Sequence, residues 1–151
     1  MGLDMYLNAS KYLSDFDQAD REKKETMLNL FPELQVYTKR NPIREVTAEI
    51  GYWRKANAIH NWFVKNIQNG KDDCGKYYVS RESLEELKNL CQRVLADNKL
   101  AQEPLPPTSG FFFGSTEPDE YYFTDLRSTI EIIDRALALP NGWMIGYQSS
   151  W

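Results

Sequence analysis

The residues able to carry chemistry in this chain are one histidine, two cysteines and a scatter of carboxylates. His60 sits in the run YWRKANAIHNWFV over residues 52–64, and Cys74 lies in Asp72-Asp73-Cys74-Gly75. Further acids occur at Asp4, Asp119, Glu120 and Asp125. A Cys74–His60 nucleophile needs a thiolate, and the two acids beside Cys74 push a thiol pKa the wrong way. The acids offer oxygen ligands for a divalent cation, but no spacing among them is diagnostic of a cation loop. One His and two Cys are too few for most zinc sites built from those residues alone. Neither G-x-x-x-x-G-K-[ST] nor G-x-G-x-x-G is present, so the standard phosphate loops are absent. The residues therefore assign no catalytic group, metal or cofactor, and point to binding.

The strongest pointer is an odd helical face. Residues 45–68 form the longest helical pattern, and Asn69-Gly70 ends it. At about 100° per residue, Val46, Ile50, Trp53, Ala56, Ile59, Phe63 and Ile67 share a broad apolar sector. Glu49, Asn57 and His60 fall inside it, while Arg54, Lys55, Asn61 and Lys65 lie opposite. A buried polar group left unpaired costs about 1–3 kcal/mol, so something must satisfy these three. An internal hydrogen-bond network would do so. So would a pocket in which Trp53 stacks on a ligand that Glu49, Asn57 and His60 contact. Glu49 and His60 are about 16 Å apart along such a helix, too far for a direct acid–base pair.

The aromatic clusters Phe111-Phe112-Phe113 and Tyr121-Tyr122-Phe123 supply core material and, through their ring faces, platforms for a base. The candidate ligand-binding set is Glu49, Trp53, Arg54, Asn57, His60, Phe112 and Tyr121. Arg54 or Lys55, from a neighbouring subunit in an oligomer, would meet a phosphate, and Phe112 or Tyr121 would cover a base.

The elements that must position these residues follow from periodicity. Alternation over residues 2–7 predicts a strand. Residues 15–30 read as a helix stopped by Pro32, and Asn41-Pro42 as a turn. The β-prone run over 76–79 predicts a second strand. Ser80 is an N-cap, with Glu82 in the first turn of a helix that buries Leu84, Leu87, Leu90, Cys91, Val94 and Leu95. Pro104, Pro106 and Pro107 mark a loop. The two aromatic triplets read as short strands joined by a turn. Residues 124–139 predict a helix burying Leu126, Ile130, Ile133 and Leu137, and 143–147 a last strand. Strands and helices do not alternate regularly. The expectation is one α+β domain over residues 1–151, with three to four helices packed on a small, mainly antiparallel sheet.

With 151 residues, 42% of them hydrophobic, the chain can bury a core, and 26% charge is ordinary for a folded domain. A net charge of -4 disfavours a nucleic-acid polymer as partner, since displacing counterions needs a basic surface. No run approaches the roughly 20 apolar residues of a membrane span, and the first residues lack a signal-peptide pattern. The expected place is the cytoplasm, with both thiols reduced.

Several motifs together resemble a family of small hypothetical proteins common in bacteriophage and prophage genomes. They are MGLDMYL at residues 1–7, YWRKANAIHNWFV at 52–64, Asp73-Cys74-Gly75, and SGFFFGST at 109–116 followed by Asp119-Glu120-Tyr121-Tyr122. The likeness spans most of the chain outside residues 10–41. Some members carry the label phosphoglycerate kinase, which does not suit a chain this short without a phosphate-cradling loop. The resemblance implies a phage protein in the host cytoplasm, in a setting where small proteins blunt bacterial immunity. The expected function is non-catalytic binding of a small nucleotide-derived ligand, sequestering an immune signal. The rivals are a small hydrolase of such a signal using Glu49, His60 and Asp119 or Glu120, and a protein–protein inhibitor of a host effector.

Overall fold

A computed structural model of the chain describes residues 2–37, 39–101, 103–110 and 114–151. Among them run strand β1 (Asp4–Tyr12), helix α1 (Gln18–Leu30), a 3-10 helix (Pro32–Tyr37), β2 (Glu45–Arg54), α2 (Asn57–Asn66), β3 (Tyr77–Val79), α3 (Arg81–Ala96), a second 3-10 turn (Asn98–Leu100), α4 (Glu120–Leu137) and β4 (Met144–Ser150). The strands form one sheet in the order β2-β1-β4-β3, every neighbouring pair antiparallel. The expected α+β domain with a small antiparallel sheet and helices on it is what the chain forms.

β1 is central and alternates as a half-buried strand should. Met5, Leu7 and Ala9 face the core, while Asp4, Tyr6, Asn8 and Ser10 face outward. Across from them, Ile145 and Tyr147 of β4 and Trp53 of β2 complete the inner face. Ile59 and Phe63 from α2, Leu84, Leu87, Cys91 and Val94 from α3, and Leu126, Ile133 and Ala136 from α4 close over it as one cluster. Ser80 caps α3 by accepting from the Ser83 N–H, as expected. Of the residues expected on the buried sides of α3 and α4, Leu90, Leu95, Ile130 and Leu137 are only partly buried.

The continuous helix expected over residues 45–68 is corrected. Residues 45–54 are strand, and only Asn57–Asn66 are helix. Val46, Thr47, Ile50, Tyr52 and Trp53 are β-branched or aromatic and fit a pleated surface better than a helix. The apolar sector of the wheel thus merged the inner face of a strand with the buried side of a short helix. Two local features settle the strand. One is a bulge that leaves Ile50 unpaired, between Leu7↔Gly51 and Asn8↔Glu49. The other is Gly51 itself, where an added Cβ would lie 2.3 Å from Ile132 Cγ2 of α4. The expected stop after α2 does form: Asn69 and Gly70 both take positive φ, and the Gly70 N–H returns to the Val64 carbonyl.

The strand expected at residues 121–123 is likewise corrected. Asp119 accepts from the Tyr122 N–H and starts α4 at Glu120, four residues before the expected helix. Capping and burial of Tyr122 outweigh the β propensity of the aromatic triplet. The strand expected at 111–113 lies outside the described residues.

α1 falls where the charged run predicted it, but its buried residues are Asp20 and Lys24. The Lys24 ammonium is 2.6 Å from Asp15, which also holds Arg44 at 2.6 Å. Charge pairing, more than apolar packing, ties this arm to the loop that leads into β2.

Gly51→Val should destabilise the fold by about 1–3 kcal/mol, because α4 has no room for the added carbons. A lowered midpoint in urea or thermal melts checks this; an unchanged midpoint contradicts the packing described here.

Candidate functional site

The turn between β2 and α2 places the first wall of a cavity of about 440 Å³. Lys55 holds φ at +59, an uncommon conformation for a residue with a side chain. Its N–H donates to the Leu3 carbonyl at 2.8 Å, and its own carbonyl accepts from the Asn57 N–H at 2.8 Å. The turn leaves Arg54 and Lys55 beside the N-terminus of α2, where Ala56 brings no side-chain cap. A helix start without a side-chain cap and with two cations next to it suits an anion.

Asn57 fastens the second wall. Its Nδ2 donates to the Ser115 carbonyl at 2.7 Å, and its Oδ1 accepts from the Thr108 N–H at 3.2 Å. Gly114, at φ +88, passes close to Lys55; a Cβ on it would sit 3.4 Å from that of Lys55. The chain then enters α4, whose first turns supply Tyr121, Tyr122 and Asp125 to the cavity, with Glu117 and Asp119 just before them. The Tyr121 ring is 81% exposed. Tyr122 is buried, and its hydroxyl donates to the Ala101 and Leu105 carbonyls.

Asp125 is the perturbed group of the site. Burial, with the negative charge of Asp119 added, pushes its carboxyl up to about 7. A carboxyl poised near neutrality inside a cleft is a recurring mark of functional sites.

The expected site residues separate. Arg54, Asn57 and Tyr121 line this cavity together. Trp53 does not: it is core, 3% exposed, and its Nε1 donates to Thr129 Oγ1 of α4 at 2.8 Å. Glu49 is exposed on the outer face of β2, opposite Asn8. Phe112 lies outside the described residues. The expected shared face of Glu49, Asn57 and His60 does not exist, because a strand and a helix meeting at a turn do not keep one helical phase.

His60 is wholly buried in a network of its own. Nδ1 lies 2.7 Å from the Tyr147 hydroxyl and Nε2 3.0 Å from Asp72 Oδ1. Burial lowers its pKa, with Asp72 opposing. A carboxylate can only accept, so in the neutral ring Nε2–H donates to Asp72 and Nδ1 accepts from Tyr147. Phe63 stacks on Tyr147, with ring centroids 3.9 Å apart. The hydrolase set of Glu49, His60 and Asp119 or Glu120 is therefore not assembled: Asp119 caps α4 and Glu120 pairs with Arg127.

Lys55, expected like Arg54 to reach a ligand from a neighbouring subunit, lines the cavity of its own chain, and Asp125 joins it beyond the expected ligand set. The sequence does carry a signal for Asp125, which stands four residues after Tyr121 and next to Leu126 on the buried stripe of α4. Among the described residues, no group of three or more His, Cys, Asp or Glu is placed to hold a metal ion. No helix among them is long and apolar enough to cross a membrane.

Because the folded Asp125 keeps its proton to higher pH than the unfolded value of 3.8, the folded chain binds more protons between 3.8 and about 7. Its contribution to stability is then fully present below that window and falls as pH rises through it. Asp125→Asn should gain stability relative to wild type on going from pH 5 to pH 8, measured by thermal melts at both. A difference independent of pH contradicts the raised pKa.

No protein-family model, no curated protein and no solved structure matches the chain.

Proposed function

We propose that the chain is a non-catalytic binding protein whose cavity between the β2–α2 turn and the start of α4 takes a small nucleotide-type ligand. The observation that carries this reading is the pairing of two unlike walls. Arg54, Lys55 and the start of α2, which has no side-chain cap, suit a phosphate, and the exposed Tyr121 that lines the same cavity suits a base. A volume of about 440 Å³ is within the usual range for small-molecule sites. The resemblance noted above gives the role such binding would serve, sequestration of a nucleotide-derived immune signal by a phage protein.

A second reading, a small hydrolase of the same ligand, is favoured by one observation. Asp125, with its carboxyl pushed up to about 7, could serve as a general acid or base, and Asp119 lines the same cavity. Glu49 and His60 have no part in it.

Isothermal titration with cyclic dinucleotides, cyclic ADP-ribose isomers and mononucleotides tests both. Binding with full recovery of intact ligand after denaturation supports sequestration, and degraded ligand supports the hydrolase. The absence of any heat or thermal shift at micromolar concentrations overturns the nucleotide reading. Arg54→Ala and Tyr121→Ala should each weaken binding about tenfold or more, the first increasingly so at low salt. Trp53→Ala should instead lower the melting temperature, since it removes a core ring and the partner of Thr129.

A further inference from the structure

We infer that the ligand class of the cavity is a guanine nucleotide, whose N1–H and N2–H edge is held by the two oxygens of Asp125 while its ring lies on Tyr121. This rests on the nucleotide-binding reading above.

The placement follows from the helix. Tyr121 and Asp125 are four residues apart on α4, and both line the cavity. At that spacing side chains lie on one face, one turn apart, with Cβ atoms about 5–6 Å from each other. A flat ring stacked on the exposed phenol therefore brings its edge to the carboxyl. The rest of such a molecule spans the cavity toward Arg54 and Lys55, which take its phosphate.

The edge is selected by donor count. Guanine presents two adjacent N–H donors, matching two carboxylate oxygens as parallel hydrogen bonds. Hypoxanthine presents one donor, and adenine one donor beside an acceptor. Hydrogen bonds to an ionised acceptor are about twice as strong as neutral ones, and paired geometry adds specificity. Analogues lacking one of the donors leave a carboxylate oxygen buried without its partner.

The charges around Asp125 couple this recognition to a proton. Glu117 and Asp119 precede α4, and Arg54 and Lys55 line the same cavity from the β2–α2 turn. Burial and Asp119 keep the carboxyl protonated up to about pH 7. Two N–H donors favour the carboxylate, so binding expels a proton and tightens as pH rises.

The test is calorimetric titration with cyclic 3′,5′-GMP, cyclic 3′,5′-IMP and cyclic 3′,5′-AMP, whose phosphodiesters do not titrate near neutrality. Each is measured at pH 6 and pH 8, in two buffers of different ionisation enthalpy. Cyclic GMP should bind about tenfold more tightly than the other two, and about tenfold more tightly at pH 8 than at pH 6, with proton release. Asp125→Asn should abolish both the preference for cyclic GMP over cyclic IMP and the pH dependence of cyclic GMP binding. Equal affinities for the three, or a pH-independent preference, overturn the guanine assignment and leave the nucleotide reading standing. Failure of all three, together with cyclic dinucleotides and cyclic ADP-ribose isomers, removes the nucleotide reading and this one with it.

Discussion

The positive φ at Lys55 is the constraint on which the rest of the structure depends. A residue with a side chain costs about 1–3 kcal/mol to hold in that region, so its surroundings must over-determine it. Here they do. The Lys55 N–H is bound to Leu3 at the start of the central strand, and its carbonyl receives the first amide of α2. The reversal lets Trp53 finish β2 facing the core while Arg54 emerges beside the N-terminus of α2. Without it, β2 would run on past the sheet and α2 would not turn back to stack Phe63 on Tyr147.

Local periodicity was enough to read α1, β3, α3 and most of α4, because each is a single element with its own cap or stop. It failed over residues 45–68 for a definable reason. Two elements joined by a turn of one or two residues kept an apolar pattern that mimics a single helix, and no Gly or Pro stands at the junction. Lys55 takes the conformation a glycine would usually fill, so the sequence shows no break there. The one internal clue was Gly51, which a long helix does not want and which a strand pressed against Ile132 requires. At residues 121–123 the error ran the other way, since aromatic residues were read by propensity while the Asp119 cap had the decisive effect.

The same turn explains why only part of the candidate site was legible. The sequence singled out Asn57 and His60 as polar residues on an apolar stripe, and both are indeed buried and hydrogen-bonded. They serve different ends because residues three apart on a helix straddle two neighbourhoods. Asn57, in the first turn, reaches the loops that form the cavity. His60, one turn on, points to Tyr147 under the sheet and to Asp72 beyond the helix. Internal hydrogen bonds satisfy both residues, and Asn57 in addition borders the cavity.

A cavity binds tightly only if its walls are held before the ligand arrives, since ordering them afterwards subtracts from affinity. The two walls here are joined through the core. Trp53 precedes Arg54 directly and donates to Thr129, which is fully buried, and the Thr129 hydroxyl donates to the Asp125 carbonyl at 2.7 Å. One continuous chain of hydrogen bonds thus connects the strand residue beside the cationic wall to the helical turn that carries the carboxyl. Trp53 does not line the cavity, yet it ties the strand end beside Arg54 to the turn of α4 that carries Asp125. Positioning of that kind comes from a buried ring with one polar handle, so Trp53, expected as a stacking surface, belongs instead to the frame that joins the two walls.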